Sequence, residues 1–361
     1  MAEKVYLHVG TPKAGTTYLQ GLLWGNQHRL RDAGVLVPGV RPFQHNLAAT
    51  AVRSGWNAPR ATPVWNSLVE ELEAWPGTAL ISNEWFAAAG PSRAEEALQR
   101  LGAAGAEVHV VLTARDLTAV VPAAWQEVLK LGRSISLGEM INGLERARQR
   151  WSYWTLDPAW VLRRWSRGID AARVHVVTVP TSRTNPHLLW DRFAGVVGIP
   201  DGAVDHALGA RANESLGVES ARLLQVLGPR LRDAVEARDG SDSDYRWLRR
   251  YVSHRILVPR GGGKIGLTLE QHDRLHRRSL EAVEKIRARG YSVAGDLAEL
   301  TSARYDASRL LPEQVSDAAL ADVAAELAVE LLRELRLTSD QRRPVADIGE
   351  FDGVMGLQKD D

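Results

Sequence analysis

The chain has 361 residues, 45% of them hydrophobic and 25% charged, which is the balance of an ordinary globular protein and excludes a disordered or fibrous one. Its 45 Lys and Arg against 44 Asp and Glu leave a net charge of +1, so a globally basic nucleic-acid binder is excluded and only local basic clefts remain. There is no cysteine, which removes disulfides, thiolate zinc sites and cysteine nucleophiles.

The first ten residues lack the apolar core of a signal peptide. No run reaches the ~18–20 apolar residues of a membrane helix, since Val108–Ala114 is broken by His109 and Thr113. A cytoplasmic chain without membrane insertion is expected. Val5–Gly10 reads as a strand, Thr16–Leu30 as a helix and Val35–Val37 as a second strand, followed by a loop rich in Gly, Pro and Arg. Ala79–Glu84, Val108–Arg115 and Val174–Pro180 are further strand-like runs with helical sequence beside them. The alternation predicts a three-layer α/β fold, a central parallel sheet with helices on both faces. Continuous rather than alternating hydrophobicity in Val108–Leu112 and Val174–Val179 suits strands buried on both sides. Beyond Pro180 the pattern is mainly helical: Pro186–Val197, Ser215–Leu227, Tyr245–Leu257 and Leu269–Arg289. Leu320, Val323, Leu327, Leu331 and Leu335 then form one stripe at helical spacing. The expected organisation is an α/β domain over residues 1–300, a helical extension over 301–339 and a loose tail over 340–361.

The informative segment is Gly10-Thr11-Pro12-Lys13-Ala14-Gly15-Thr16-Thr17, where the first strand turns into a helix. Unpaired N–H groups at a helix start and the positive end of its dipole make a ready anion site. Gly15 lets the backbone approach an oxyanion closely, Thr16 and Thr17 add hydroxyl donors, and Lys13 adds a mobile charge. A phosphate-type group is the natural guest. The turn is not a Walker A loop, because that motif places Lys directly after its second Gly.

Pro12-Lys13-Ala14-Gly15-Thr16-Thr17 resembles the phosphosulfate loop of the sulfotransferases that use 3′-phosphoadenosine 5′-phosphosulfate, typically Pro-Lys-Ser-Gly-Thr-Thr. The resemblance implies a bacterial member with a P-loop-like fold and no required metal. It implies that Lys13 contacts the bridging and sulfonate oxygens, that Thr16 and Thr17 hold the 5′-phosphate, and that Ala14 and Gly15 contribute backbone N–H groups. The strand ending in Arg115-Asp116 matches the family's second anchor, where an Arg and a Ser eight residues later bind the 3′-phosphate. Arg115 fits, since a guanidinium fork matches phosphate; the eighth residue is Ala123, which has no hydroxyl. Arg260-Gly261-Gly262-Gly263-Lys264 stands where the family has a closing loop, so Arg260 and Lys264 are candidate nucleotide contacts.

Sulfuryl transfer also needs a proton acceptor at the carboxyl edge of the sheet. Glu84, at the end of the third strand-like run, is preferred; His45, expected on the loop after the second strand, is the alternative. Trp125, Trp151, Trp154, Trp160 and Trp165 are expected mostly in the core, with one or two able to line an acceptor pocket. Arg146, Arg148 and Arg150 read as a solvated basic run that could face an anionic acceptor. The acceptor is expected to be a small molecule or glycan and not a nucleic acid, and the oligomeric state is not read from the sequence. The rival readings are a P-loop-type nucleotide kinase and a catalytically inactive nucleotide-binding relative, the latter kept open by Ala123.

Overall fold

Six strands form in the computed structural model of the chain, which describes residues 2–103, 105–146, 149–182, 184–209, 215–239 and 244–342. They are β1 (Lys4–His8), β2 (Val35–Leu36), β3 (Thr78–Ser82), β4 (Glu107–Ala114), β5 (Val174–Thr178) and β6 (Ser292–Ala294), all parallel, in the order β2-β3-β1-β4-β5-β6. The chain leaves β1 towards β2 and β3 on one side, then crosses to β4 on the other. A crevice therefore opens at the carboxyl ends of β1 and its neighbours, the usual ligand position in such sheets.

Both faces of the sheet are covered, which is why its strands read as continuous apolar runs. Val5, Leu7, Ile81, Val110 and Leu112 pack on one face with Trp65, Phe86, Trp165 and Ile286. Tyr6, Leu80, Val111 and Val177 pack on the other with Leu19, Leu22, Leu23 and Phe193. A separate helical core joins Trp125 and Leu129 to Leu224, Leu257, Val323 and Leu327. This third core docks the C-terminal helix, Asp317–Arg342, against the helix Val218–Asp239. Residues 343–361 of the expected tail lie outside the described residues.

Several local readings change. The first helix is two, Thr16–Gly25 and Gln27–Asp32, divided at Asn26, whose amide donates to the carbonyls of Leu22 and Asp205 at 3.0 Å each. The Gly-, Pro- and Arg-rich stretch after β2 contains a helix, Pro42–Ser54, because Pro42 occupies its first position, where no N–H is needed. Asp244–Leu257 is helical as expected but winds as a π-helix. The three-residue strand β6 has too few apolar positions to show a period. No helix among the described residues is long and apolar enough to cross a membrane.

Candidate functional site: a cationic turn at the carboxyl edge of the sheet

The turn between β1 and the helix Thr16–Gly25 is built on three left-handed residues, Gly10 (φ 44°), Lys13 (φ 68°) and Gly15 (φ 79°). Gly10 is required by space as well as by φ, since a Cβ there would stand 2.7 Å from Thr16 Cγ2. Lys13 has a Cβ and adopts φ 68° nonetheless, a conformation that costs about 1–2 kcal/mol for an L-residue. Such strain persists where the surroundings over-determine it, commonly at functional sites. Thr11 fixes the turn from below by donating through both N–H and Oγ1 to the carbonyl of Thr113, at 3.1 and 3.0 Å. Among the described residues, the N–H groups of Lys13, Gly15, Thr16 and Thr17 have no protein hydrogen-bond partner. Gly15 caps the helix without a side chain to satisfy them. Four free donors on one curl are an oxyanion cradle.

The floor of the turn is neutral. His8, the last residue of β1, is fully buried and links three strands: Nδ1 lies 2.7 Å from Ser82 Oγ and Nε2 3.2 Å from Thr113 Oγ1. Burial pushes its imidazole down to about 3, so the floor carries no charge at neutral pH.

The wall facing Lys13 is the helix Leu117–Leu129. Its Asp116 cap holds the N-terminus, Oδ1 accepting from Thr118 N–H at 2.9 Å, while Oδ2 accepts from Ala303 N–H at 3.2 Å. Ala123 and Glu127 lie four residues apart and so share one helix face. Glu127, 7% exposed, gathers three cations: Lys13 at 3.0 Å and Lys130 at 3.1 Å on Oε1, and Arg249 at 2.6 Å on Oε2. Burial alone would raise the Glu127 carboxyl; Lys13, Lys130 and Arg249 together outweigh it and hold it at about 2. Arg249 comes from the π-helix, and Lys130 is completely buried, where burial lowers its ammonium despite the Glu127 charge. Arg115 is exposed beside the turn, its Nη1 3.5 Å from the Lys13 carbonyl.

The opposite wall begins where β3 ends. Asn83 caps a 3₁₀ turn, Glu84–Ala88, its Oδ1 accepting from Trp85 N–H at 3.0 Å. Glu84 thus stands on that turn rather than in the strand, half-buried, with Oε2 accepting from Gln20 Nε2 at 3.0 Å. Gln20 lies one helical turn past Thr16, so Glu84 and the cradle share a helix as a common reference. The 3₁₀ turn is clamped from behind by buried Arg164, which donates to the carbonyls of Ala87, Ala89 and Trp154 at 2.5, 3.0 and 2.5 Å. Trp165 Nε1 adds a bond to the Phe86 carbonyl at 3.1 Å.

His45 is elsewhere. It sits on the helix Pro42–Ser54, not on a loop, and is fully buried. Its Nδ1 accepts from Ser82 N–H at 3.2 Å and its Nε2 donates to the Pro38 carbonyl at 3.0 Å. Burial lowers the imidazole to about 4, the two backbone bonds opposing it. Both ring nitrogens are committed and neither reaches solvent, so the expectation of a loop imidazole is corrected: His45 ties a helix to β3. Arg260 pairs with Glu326 of the C-terminal helix at 2.7 Å, and Lys264 is exposed. Gly262 between them packs on Gly217 and Glu219, and among the described residues neither cation is bonded to the Lys13 turn. Trp125 and Trp165 are core as expected, whereas Trp151 is half-buried and stands edge-on to Trp85, ring centroids 5.3 Å apart.

Sequence reasoning missed Glu127, Lys130, Arg249 and Gln20. A signal for Glu127 existed: it lies one helical turn after Ala123, already assigned to the face beside the anion site. Arg249 had none, because its direction depends on π-winding.

Fold and site together define an α/β protein with an anion-accepting turn at the carboxyl edge of a parallel sheet. No family model and no curated protein matches the chain. Among solved structures it is similar to a sulfotransferase from Alicyclobacillus acidocaldarius, at 16% identity and a TM-score of 0.39, covering 66% of this chain and 98% of that one. This likeness is too slight to assign a family.

Proposed function

We propose that the chain is a sulfotransferase moving a sulfuryl group from 3′-phosphoadenosine 5′-phosphosulfate to a hydroxyl or amine of a small-molecule or glycan acceptor. The observation that carries the reading is the turn itself: free N–H groups on Lys13, Gly15, Thr16 and Thr17 around one mobile ammonium. The N–H groups and the Thr16 and Thr17 hydroxyls would hold the 5′-phosphate. Lys13 would leave Glu127 for the bridging oxygen, where charge develops as the sulfur–oxygen bond breaks. Arg115, at the rim, would take the 3′-phosphate; Ala123 offers it no hydroxyl, so the 3′-subsite rests on the guanidinium. Across the cleft Glu84 would accept the proton of the acceptor. The acceptor oxygen or nitrogen forms the new bond to sulfur, the bridging bond breaks, and adenosine 3′,5′-bisphosphate leaves with the electron pair.

Calorimetric titration tests the donor half: adenosine 3′,5′-bisphosphate should bind, and ATP with Mg²⁺ should bind more weakly. Transfer of labelled sulfate to any member of a panel of carbohydrates, phenols and lipids tests the chemistry. Preference for ATP with Mg²⁺ would replace the reading with a kinase, and nucleotide binding without transfer would leave an inactive relative.

A further inference from the structure

Arg150 separates itself from the other arginines of the cleft. Arg249 is bound to Glu127 and Arg164 to four backbone carbonyls. The Arg150 guanidinium instead lies over the Trp85 indole, its Cζ 4.0 Å from the ring centroid, and 5.7 Å from that of Trp151. Among the described residues it has no carboxylate within ion-pair distance. A cation–π contact uses none of its five N–H donors, so among the described residues the fork is unspent. Trp85 follows Glu84 directly, which puts this fork on the acceptor side of the proposed reaction centre. Arg53, on the helix Pro42–Ser54, is the second such group: it donates to the Ala49 carbonyl at 3.2 Å and to Thr50 Oγ1 at 3.0 Å, with no carboxylate partner among the described residues.

The groups that face this wall come from every element around it. Among the described residues, Glu84 and Glu127 are carboxylates whose charges reach Arg150, and Arg249 and Arg53 are cations whose charges interact with it. Lys13 and Lys130 pair with Glu127, and Arg164 behind the Trp85 turn is spent on backbone carbonyls. Glu127 already serves three of those cations, and Glu84 has one oxygen occupied by Gln20. Arg150 and Arg53 are both exposed; partial desolvation, and after it the charge of Arg249 on Arg150 and of Arg150 on Arg53, lowers each. The arginines therefore repel one another across the cleft while remaining charged. Repulsion of this kind is relieved by a bound anion, and the donor's phosphates are assigned to the turn on the other wall.

We infer that Arg150, stacked on Trp85 and supported by Arg53, is a subsite for an anionic group of the acceptor, a carboxylate or a sulfate ester, which selects acidic acceptors over neutral ones. The inference rests on the acceptor-side assignment of the proposed function. A planar carboxylate would meet the fork in bidentate fashion, and a sulfate through two of its oxygens.

The test reads binding, not turnover. The protein is saturated with adenosine 3′,5′-bisphosphate, so that anions cannot be read at the Lys13 turn. 4-Nitrophenyl β-glucoside, the matching β-glucuronide and the 6-sulfated glucoside are then titrated, with calorimetry as the readout. The two acidic probes should bind about tenfold more tightly than the neutral one, the scale of a hydrogen bond to a charged group. The tighter of the two names the anion. Arg150→Gln should erase the preference while nucleotide affinity stays within twofold, which also reports that the variant is folded. Arg150→Lys should keep part of it, because charge survives and the fork does not. Equal affinity of all three probes, failure of all three to bind at millimolar concentration, or a preference that survives Arg150→Gln would overturn the inference. A parallel loss of nucleotide affinity would assign Arg150 to the donor instead and overturn it as well. If the nucleotide does not bind at all, the donor reading fails, and the acceptor subsite is still judged by whether the acidic preference depends on Arg150.

Discussion

Lys13 Nζ stands 3.0 Å from Glu127 Oε1, at the tip of a turn that holds the Lys13 backbone at φ 68°. The lysine is thus parked beside the anion cradle by a carboxylate that also neutralises Lys130 and Arg249. An anion entering the cradle competes with Glu127 for Lys13 but leaves Glu127 two partners. Release of Lys13 therefore does not strand a buried charge. Lys13→Ala should consequently leave the fold intact while lowering sulfate transfer by ~10²–10³, the scale for losing one transition-state donor. Steady-state turnover alongside a thermal melt checks both halves; turnover within threefold of the parent would remove Lys13 from the chemistry.

Glu127 is the opposite case. Its loss leaves fully buried Lys130 and half-buried Arg249 without their shared counter-charge, so Glu127→Gln should destabilise by ~3–5 kcal/mol, the range for breaking a buried pair. The sign of the pH dependence follows from the depressed carboxyl. Its ordinary value is 4.5 and its folded value about 2, so this contribution is complete above 4.5 and is lost as pH falls towards 2. Urea titrations from pH 6 to 2 should show that loss in the parent and a shallower slope in Glu127→Gln. Equal slopes would mean that Glu127 is not the ionised hub.

Arg115 stands exposed at the rim of the turn, its Nη1 3.5 Å from the Lys13 carbonyl. Arg115→Ala should leave stability unchanged. It should weaken adenosine 3′,5′-bisphosphate by ~2 kcal/mol, the lower end for truncating a charged contact because the site is exposed. Adenosine 5′-phosphosulfate, which lacks the 3′-phosphate, should bind the variant and the parent alike. Equal losses for both nucleotides would make Arg115 a support for the turn, not a phosphate ligand.

What the sequence discloses here follows the range of the forces involved. The strands were legible because burial on both faces leaves an unbroken apolar run, as in Val108–Leu112. The turn was legible because left-handed backbone at Gly10 and Gly15, a helix start and a lysine are all local features. The ion-pair hub was not, since Lys13 and Glu127 are 114 residues apart and a helical Glu looks the same whether it faces water or three cations. His45 misled for a related reason. Pro42 and the surrounding polar residues suggested a loop, whereas Pro42 begins a helix that carries the imidazole inward.

Two buried histidines give the protein a second acid sensitivity, distinct from that of Glu127. Burial lowers His45 from 6.5 to about 4 and His8 from 6.5 to about 3. The folded state favours the neutral rings, so their contribution is complete above 6.5 and declines as pH falls to 4 for His45 and on to 3 for His8. Stability should therefore start to fall below pH 6.5. His45→Asn should be less stable than the parent at pH 7.5, because it loses the bridge between Pro38 and Ser82. It should also lose less stability than the parent between pH 6.5 and 4. A variant with the parent's stability at pH 7.5 and the parent's slope would show that the bridge carries no weight.

The base assignment turns on Glu84. It meets the geometric requirement, standing just past β3 beside the cradle with one oxygen bonded to Gln20 and the other carrying no protein hydrogen bond among the described residues. His45 does not meet it, with both ring nitrogens bonded to backbone. Glu84→Gln retains the shape and the Gln20 contact but cannot accept a proton at neutral pH. It should bind adenosine 3′,5′-bisphosphate like the parent and lose ~10²–10⁴ in turnover, the usual scale for a general base. Gln20→Ala frees the carboxylate without removing it, so it should lower turnover far less, by misplacing Glu84. His45→Asn, compared at a temperature where it is fully folded, should keep turnover within a few-fold of the parent. If Glu84→Gln keeps full turnover, the proton leaves by another route; if it loses nucleotide affinity as well, Glu84 holds the cradle in shape and is not the base.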